Sequence, residues 1–223
     1  MRHPVVFDVN ETLLDLAALD PFFERLFGNT RVRSEWFLTL EECWMTNTIT
    51  GQYQAFSELA QGALKMVSGR HQVDVSDGDC RALAEGLKAL PPHEDVRHAL
   101  ELLKNNGYSL IALSNGALDA VQQQLAFAGL TDCFDHVMSA GEIKQFKPAR
   151  EAYQLVAQRL GIATQHMTMV AAHAWDIAGA AHAGCRTAFV ERPGKVLNPV
   201  GVQPSLRGVN LYEVARQIVE SQN

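Results

Sequence analysis

The chain has no apolar run of about 18 residues, so no segment is long enough to span a bilayer as a helix. It has little cysteine. Cys43, Cys80, Cys133 and Cys185 are far apart and form no CxxC pair, which argues against a disulfide framework and a thiolate zinc site. They read as small buried hydrophobes in a reducing compartment. Positive charge is not in surplus: 19 Lys+Arg stand against 25 Asp+Glu, a net charge of -6. Nucleic acid and anionic membrane surfaces are therefore unfavoured partners. Repeats and low-complexity tracts are missing, and the opening segment MRHPVVFDVN turns acidic and polar too early for a secretory leader. The expectation is a cytoplasmic protein. What is present is ordinary globular material, 47% hydrophobic and 20% charged, enough to bury a sizeable core. At roughly 150 residues per domain, the length allows one large domain or one domain carrying an insert.

Two textures alternate along the chain. Pro4 to Phe7 is a short β-branched and aromatic run suited to a buried strand. From about Leu16 to Leu90 the pattern is helical. Trp36, Leu40 and Trp44 fall four apart, and Tyr53, Phe56, Leu59, Ala60, Ala63, Leu64 and Val67 follow three-and-four spacing. Ser68 to His71 and Ser76 to Asp79 read as turns. After Pro91-Pro92 short apolar strands alternate with helices of about a dozen residues. Strands are expected at Tyr108–Leu113, Phe134–Ser139, Met167–Ala171 and Arg186–Val190. Helices are expected at Asp95–Asn106, up to about Ala128, Ala149–Leu160, Ile177–Ala183 and Leu211–Glu220. This alternation predicts an α/β fold, a doubly wound parallel sheet of Rossmann-like form covered by helices on both faces. Residues 1–14 and 91–223 make the core unit, and 15–90 form an inserted helical cap.

In an open α/β sheet, ligands bind beyond the carboxyl ends of the strands. The reading places three polar clusters there: Asp8 to Thr12, Ser114-Asn115, and Ala171 to Asp176. Lys147-Pro148 precedes a helix. An acid, a hydroxyl, an amide and a lysine converging on one point suit nucleophilic chemistry. Taken singly, Asp8 also reads as a helix N-cap and Lys147 as a surface lysine.

The ordered set D-x-x-x-T after the first strand, S-N after a strand, K-P before a helix, and a late aspartate after a strand resembles the haloacid dehalogenase superfamily. The resemblance covers essentially the whole chain, helical insert included. It implies Asp8 as a nucleophile that forms a covalent ester or acyl phosphate, which water then hydrolyses. Thr12 would bond the Asp8 region, Ser114 would hold an oxygen of substrate or nucleophile, and Lys147 would keep Asp8 ionised. At about 4 Å such a charge is worth roughly 4 kcal/mol in an effective dielectric of 20. Asp176 completes the implied set.

Most of the superfamily are magnesium-dependent phosphatases, and two of their acids are missing. Asn10 stands where a general acid belongs, and an amide has no proton to give. Ala172 stands where the last motif carries its first carboxylate, which weakens an octahedral magnesium site. A halide leaving group needs neither acid. The local sequence is similar to the L-2-haloacid dehalogenase (type II) branch in Ala174-Trp175-Asp176, in Tyr153, in Leu40-Glu41-Glu42-Cys43-Trp44, and in Phe56. The resemblance implies hydrolysis of short 2-halo acids without metal or other cofactor and with inversion. A halogenated carboxylic acid is the small-molecule partner, and homodimers are frequent in this branch. It makes Asn10, Phe37, Leu40, Phe56, Tyr153, His173 and Trp175 substrate-binding, with Asn115 cradling the halide. The chain departs from the branch at Asn10, where an aromatic is usual, at Ala171 and His173, which replace serine and asparagine, and at Phe37, which replaces the cap arginine. Arg31 and Arg33 are the nearest cations in sequence. Trp36, Trp44, Phe56 and Trp175 also read as plain core packing, and His173 as a satisfied strand-end histidine. The alternatives are a phosphatase or other hydrolase of the same fold, and a catalytically inactive member.

Overall fold

The computed structural model describes residues 3–221. Residues 1, 2, 222 and 223, which the sequence reading gives to the core unit, lie outside the described residues. Strands β1 (Val5–Phe7), β2 (Leu110–Ser114), β3 (His136–Ser139), β4 (Thr168–Ala171), β5 (Arg186–Val190) and β6 (Leu206–Gly208) form one parallel sheet. Their order is β3-β2-β1-β4-β5-β6, the doubly wound arrangement expected from the sequence. Side chains alternate across a strand, so β1 feeds two cores. Val5 and Phe7 join Val96, Leu100 and Leu103 of α5 (Val96–Asn105) and Leu211 and Val214 of α9 (Leu211–Glu220). Val6 faces the other way, toward Tyr153 and Val156 of α7 (Arg150–Leu160) and Ile177 and Ala180 of α8 (Ala174–His182). Helix α6 (Leu118–Phe127) follows β2.

Between β1 and α5 come four helices: α1 (Asp20–Phe27), α2 (Val32–Thr50), α3 (Phe56–His71) and α4 (Asp77–Lys88). The spacing of Trp36, Leu40 and Trp44 puts all three on the buried side of α2. The indole of Trp36 also donates to the Ala60 carbonyl of α3 at 2.9 Å, which fixes the α2–α3 pair. Among the described residues no helix is long and apolar enough to cross a membrane. All four cysteines are free, three of them buried and Cys43 half-buried.

Two expectations need correction, and one strand is not foreseen. Ser68 to His71 is not a turn but the last turn of α3, where Arg70 donates to Thr39 at 2.8 Å and His71 meets Glu35 at 2.7 Å. Ser76 to Asp79 is the start of α4. Ser76 caps the helix, accepting from the Asp79 N–H at 3.2 Å while the Asp79 carboxylate reaches back to the Ser76 N–H at 3.1 Å. The same residue types serve turns and caps, and here the capping box decides. Strand β6 carries the sequence Leu-Arg-Gly, with no apolar run to announce it; it forms as an edge strand on β5.

Candidate active site

Strand β1 lies between β2 and β4, so the chain winds away from it in both directions and a crevice opens at the carboxyl ends of these strands. Asp8 is the first residue beyond β1, and its N–H still donates to Val170 of β4 at 3.0 Å. Ser114 ends β2. Ala172 and His173 link β4 to α8, which begins at Ala174, earlier than the expected Ile177, and so carries Trp175 and Asp176 in its first turn. Lys147 precedes α7 through a cis bond to Pro148. Gly179 of α8 lets that segment approach: a Cβ there would lie 2.5 Å from the Pro148 Cβ and 2.7 Å from the Tyr153 hydroxyl.

The side chains converge on Asp8. Lys147 Nζ donates to Asp8 Oδ1 at 2.8 Å and to Asp176 Oδ2 at 2.7 Å, and is itself wholly buried. Thr12 donates to Asp8 Oδ2 at 2.6 Å and accepts from the Ala172 N–H at 3.0 Å. Tyr153 donates to Asp176 Oδ1 at 2.6 Å. His173 meets Asp8 Oδ2 through Nδ1 at 3.1 Å and Glu11 Oε2 through Nε2 at 2.9 Å. Lys195, in the loop after β5, also donates to Glu11. Glu11 has a left-handed backbone, φ 61°, which a non-glycine residue holds only when its surroundings fix it; His173 and Lys195 do so here.

Burial pushes the Asp8 carboxyl up, but Lys147 and His173 outweigh it and hold Asp8 well below the usual carboxylate range. Burial also penalises the charged form of Lys147, and Asp176 and Asp8 reverse this, so its ammonium is retained. Burial raises Asp176 despite Lys147, and raises Tyr153 well above its ordinary value. For His173 burial works against protonation; the hydrogen bonds to Asp8 and Glu11 overcome it and lift the imidazole to about 9. At neutral pH the site holds an ionised Asp8 between an ammonium and an imidazolium, a carboxylate kept charged although buried.

A family model described as haloacid dehalogenase-like hydrolase matches residues 5–184. This chain belongs to that family. It is 30% identical over 203 residues to (S)-2-haloacid dehalogenase 2 of Pseudomonas sp. (strain CBS-3), covering 90% of this chain and 88% of that one. The solved L-2-haloacid dehalogenase from Xanthobacter autotrophicus superposes with a TM-score of 0.91 at 26% identity, covering 98% of both chains. A second structure of the Xanthobacter autotrophicus enzyme, with chloropropionic acid covalently bound, matches with a TM-score of 0.91 at 25% identity and covers the same 98% of both chains.

The family motifs thus meet at one carboxylate. Of the residues expected to touch substrate, Asn10, Phe37, Phe56, Asn115, His173 and Trp175 line a small cavity of about 20 Å³ over Asp8, together with Ser114 and Trp44. Leu40 is enclosed in the core and is not one of these walls. Tyr153 lies behind the cavity, on Asp176. Ser114 Oγ accepts the Gly116 N–H at 3.1 Å. Asn115 ties down Lys147, accepting its N–H at 2.7 Å and donating to its carbonyl at 3.2 Å. Asn10 accepts from Gln124 at 3.1 Å. Arg31 is exposed, and Arg33 turns to Asp20 at 2.6 Å, so neither guanidinium lines the cavity. Sequence reasoning missed Glu11, Glu41 and Lys195. Glu11 stood inside the first motif without a role, and Glu41 inside the α2 segment; Lys195 has no local signal. Glu11, Glu41 and His173 bring metal-ligand atoms within 4.8 Å of one another. Their present partners are Lys195 on Glu11 and the Trp175 indole on Glu41 at 3.0 Å, so each carboxylate already has a donor.

Proposed function

We propose that the chain hydrolyses the carbon–halogen bond of short 2-halo acids through an ester on Asp8, with inversion and without metal. The observation that carries this reading is Asp8 itself, buried, ionised and bonded to Lys147 and Thr12, with both phosphatase acids replaced by Asn10 and Ala172. The relatives act in its support: enzymes named as (S)-2-haloacid dehalogenases align over most of the chain, and one related structure holds chloropropionic acid covalently. The four helices of residues 15–90 act as a cap that closes over the crevice, and residues 1–14 and 91–223 as the core unit.

An oxygen of Asp8 donates an electron pair to C2 opposite the carbon–halogen bond. That bond breaks with its pair on the halide, which leaves without protonation. A dry cavity strips hydration from the attacking carboxylate, and Lys147 and Thr12 fix its direction. Both N–H groups of His173 are already used, by Asp8 and Glu11, so it acts through charge: the imidazolium offsets a second carboxylate brought beside Asp8. Once esterified, Asp8 is neutral, and one of the two partners holding the His173 proton is lost. The imidazolium therefore releases its Nδ1 proton to solvent, and the freed Nδ1 takes a proton from the water that attacks the ester carbonyl carbon. The acyl C–O bond breaks with its pair on the hydroxy-acid oxygen, which takes up that proton, while Asp176 is held aside by Tyr153 and Lys147.

The deciding experiment is a single turnover in oxygen-18 water with a 2-chloro acid, reading free halide and the mass of the Asp8 peptide. Label enters Asp8 before it enters product in a second turnover. Label passing directly into the hydroxy acid would end the ester reading. Parallel reactions with a phosphate ester and magnesium test the phosphatase alternative.

A further inference from the structure

Among the described residues, two buried side-chain polar atoms make no hydrogen bond: His3 Nδ1, before β1 at the far end of the sheet, and Trp44 Nε1. Trp44 is 2% exposed and is a wall of the cavity over Asp8. The contrast with its neighbours is sharp. Trp36, two turns earlier in α2, donates to a carbonyl, and Trp175, whose ring lies 5.5 Å away, donates to Glu41. A buried N–H is nearly always satisfied, because leaving it bare forfeits its hydration with no return. An indole nitrogen is a donor only, so its missing partner is an acceptor.

The remaining cavity groups narrow that acceptor. Asp8, Lys147, His173 and Asn115 are bonded to one another or to backbone. Aromatic rings make up much of the wall: Trp44 stacks on Phe56 at 5.9 Å and meets Phe37 nearly edge-on at 77°. Ring edges carry positive potential, and with one N–H they suit a large, weakly hydrated anion better than a carboxylate, which asks for several donors. We propose that Trp44 donates its indole N–H to the departing halide, so that the cavity separates two anions, the substrate carboxylate near His173 and the halide at Trp44. This rests on the dehalogenation reading. Balance holds without a further reactant: the Asp8 oxygen supplies the pair that forms the C–O bond, the C–X pair leaves on the halide, and Trp44 donates a hydrogen bond without transferring its proton.

Two measurements test this, one independent of turnover. In the nitrogen-15 labelled protein the three tryptophans give three indole N–H resonances. Titration with sodium bromide shifts the Trp44 resonance saturably and leaves that of Trp36 in place. In kinetics, Trp44→Phe keeps a ring and removes the donor. Inhibition by added bromide weakens about tenfold, kcat falls tenfold or more with the 2-chloro acid and less with the 2-bromo acid, whose halide leaves more readily, and KM changes little. Trp36→Phe, the control, leaves bromide inhibition unchanged. An unmoved Trp44 resonance overturns the proposal. So does a Trp44→Phe enzyme with unaltered bromide inhibition, or one whose KM alone rises, which would give the N–H to the carboxylate. If the acids release no halide while bromide still shifts Trp44, the anion site stands and the dehalogenation reading falls.

Discussion

Lys147 is a single cation between two buried carboxylates. Without it, Asp8 and Asp176 would face each other with no counter-charge, and removing one partner from a buried ion pair typically costs about 3–5 kcal/mol. Lys147→Met should therefore lower unfolding free energy by an amount of that order in denaturant titration, and abolish halide release. Asp8→Asn should abolish halide release; its one amide oxygen can still accept from Lys147, but an NH2 in place of Oδ2 loses the bonds from Thr12 and His173, so Tm should fall as well. His173 predicts the alkaline side. Its folded value of about 9 lies above the ordinary 6.5, so its contribution to stability is complete below pH 6.5 and fades as pH rises toward 9, where the folded state holds a proton the unfolded chain has released. Thermal melts of the parent should fall across that window. His173→Asn should lose this dependence; a variant with the same slope would mean that His173 is neutral in the folded protein.

At the scale of elements, α8 and the segment before α7 meet at Gly179. Gly179→Ala would place a methyl against backbone and side chain of Pro148, and overpacking of this kind costs about 1–3 kcal/mol. Because Asp176 lies one turn before Gly179 on α8, kcat should fall along with Tm, and a fall in Tm alone would show that α8 shifts without disturbing the charges. Ser76→Ala offers the opposite case. It removes the cap of α4, far from Asp8, and should cost about 1 kcal/mol with halide release unchanged. These elements also show what was legible. The order of strands and the placement of Asp8, Ser114, Lys147 and Asp176 follow from strand ends, which sequence marks well because apolar runs stop there. The cap of α4 reads as a turn because Ser and Asp serve both. Lys195 and Glu11 are 184 residues apart, Glu41 and Trp175 are 134 apart, and no local pattern announces a pairing that only the closed fold creates.

Across the whole molecule, the face of α2 and the β4–α8 turn meet through one aromatic seam. Phe37 stacks on His173 at 5.9 Å, Trp44 meets Trp175, and the Trp175 indole bonds Glu41. The space left over Asp8, about 20 Å³, holds about one water, so a halo acid reaches Asp8 only when the seam parts. Burial raises the Glu41 carboxyl, and its bond from the Trp175 indole at 3.0 Å latches the seam. Glu41→Ala should loosen the seam, raising KM several-fold while product release quickens; stopped-flow halide bursts would report both, and an unchanged burst would show that Glu41 does not hold it. The two indoles across this seam, 5.5 Å apart and crossed at 69°, have a spectroscopic consequence. Their strong far-ultraviolet indole transitions couple into a paired circular dichroism band whose sign and size depend on that mutual orientation. The protein thus carries an intrinsic gauge of its own breathing, readable without any label.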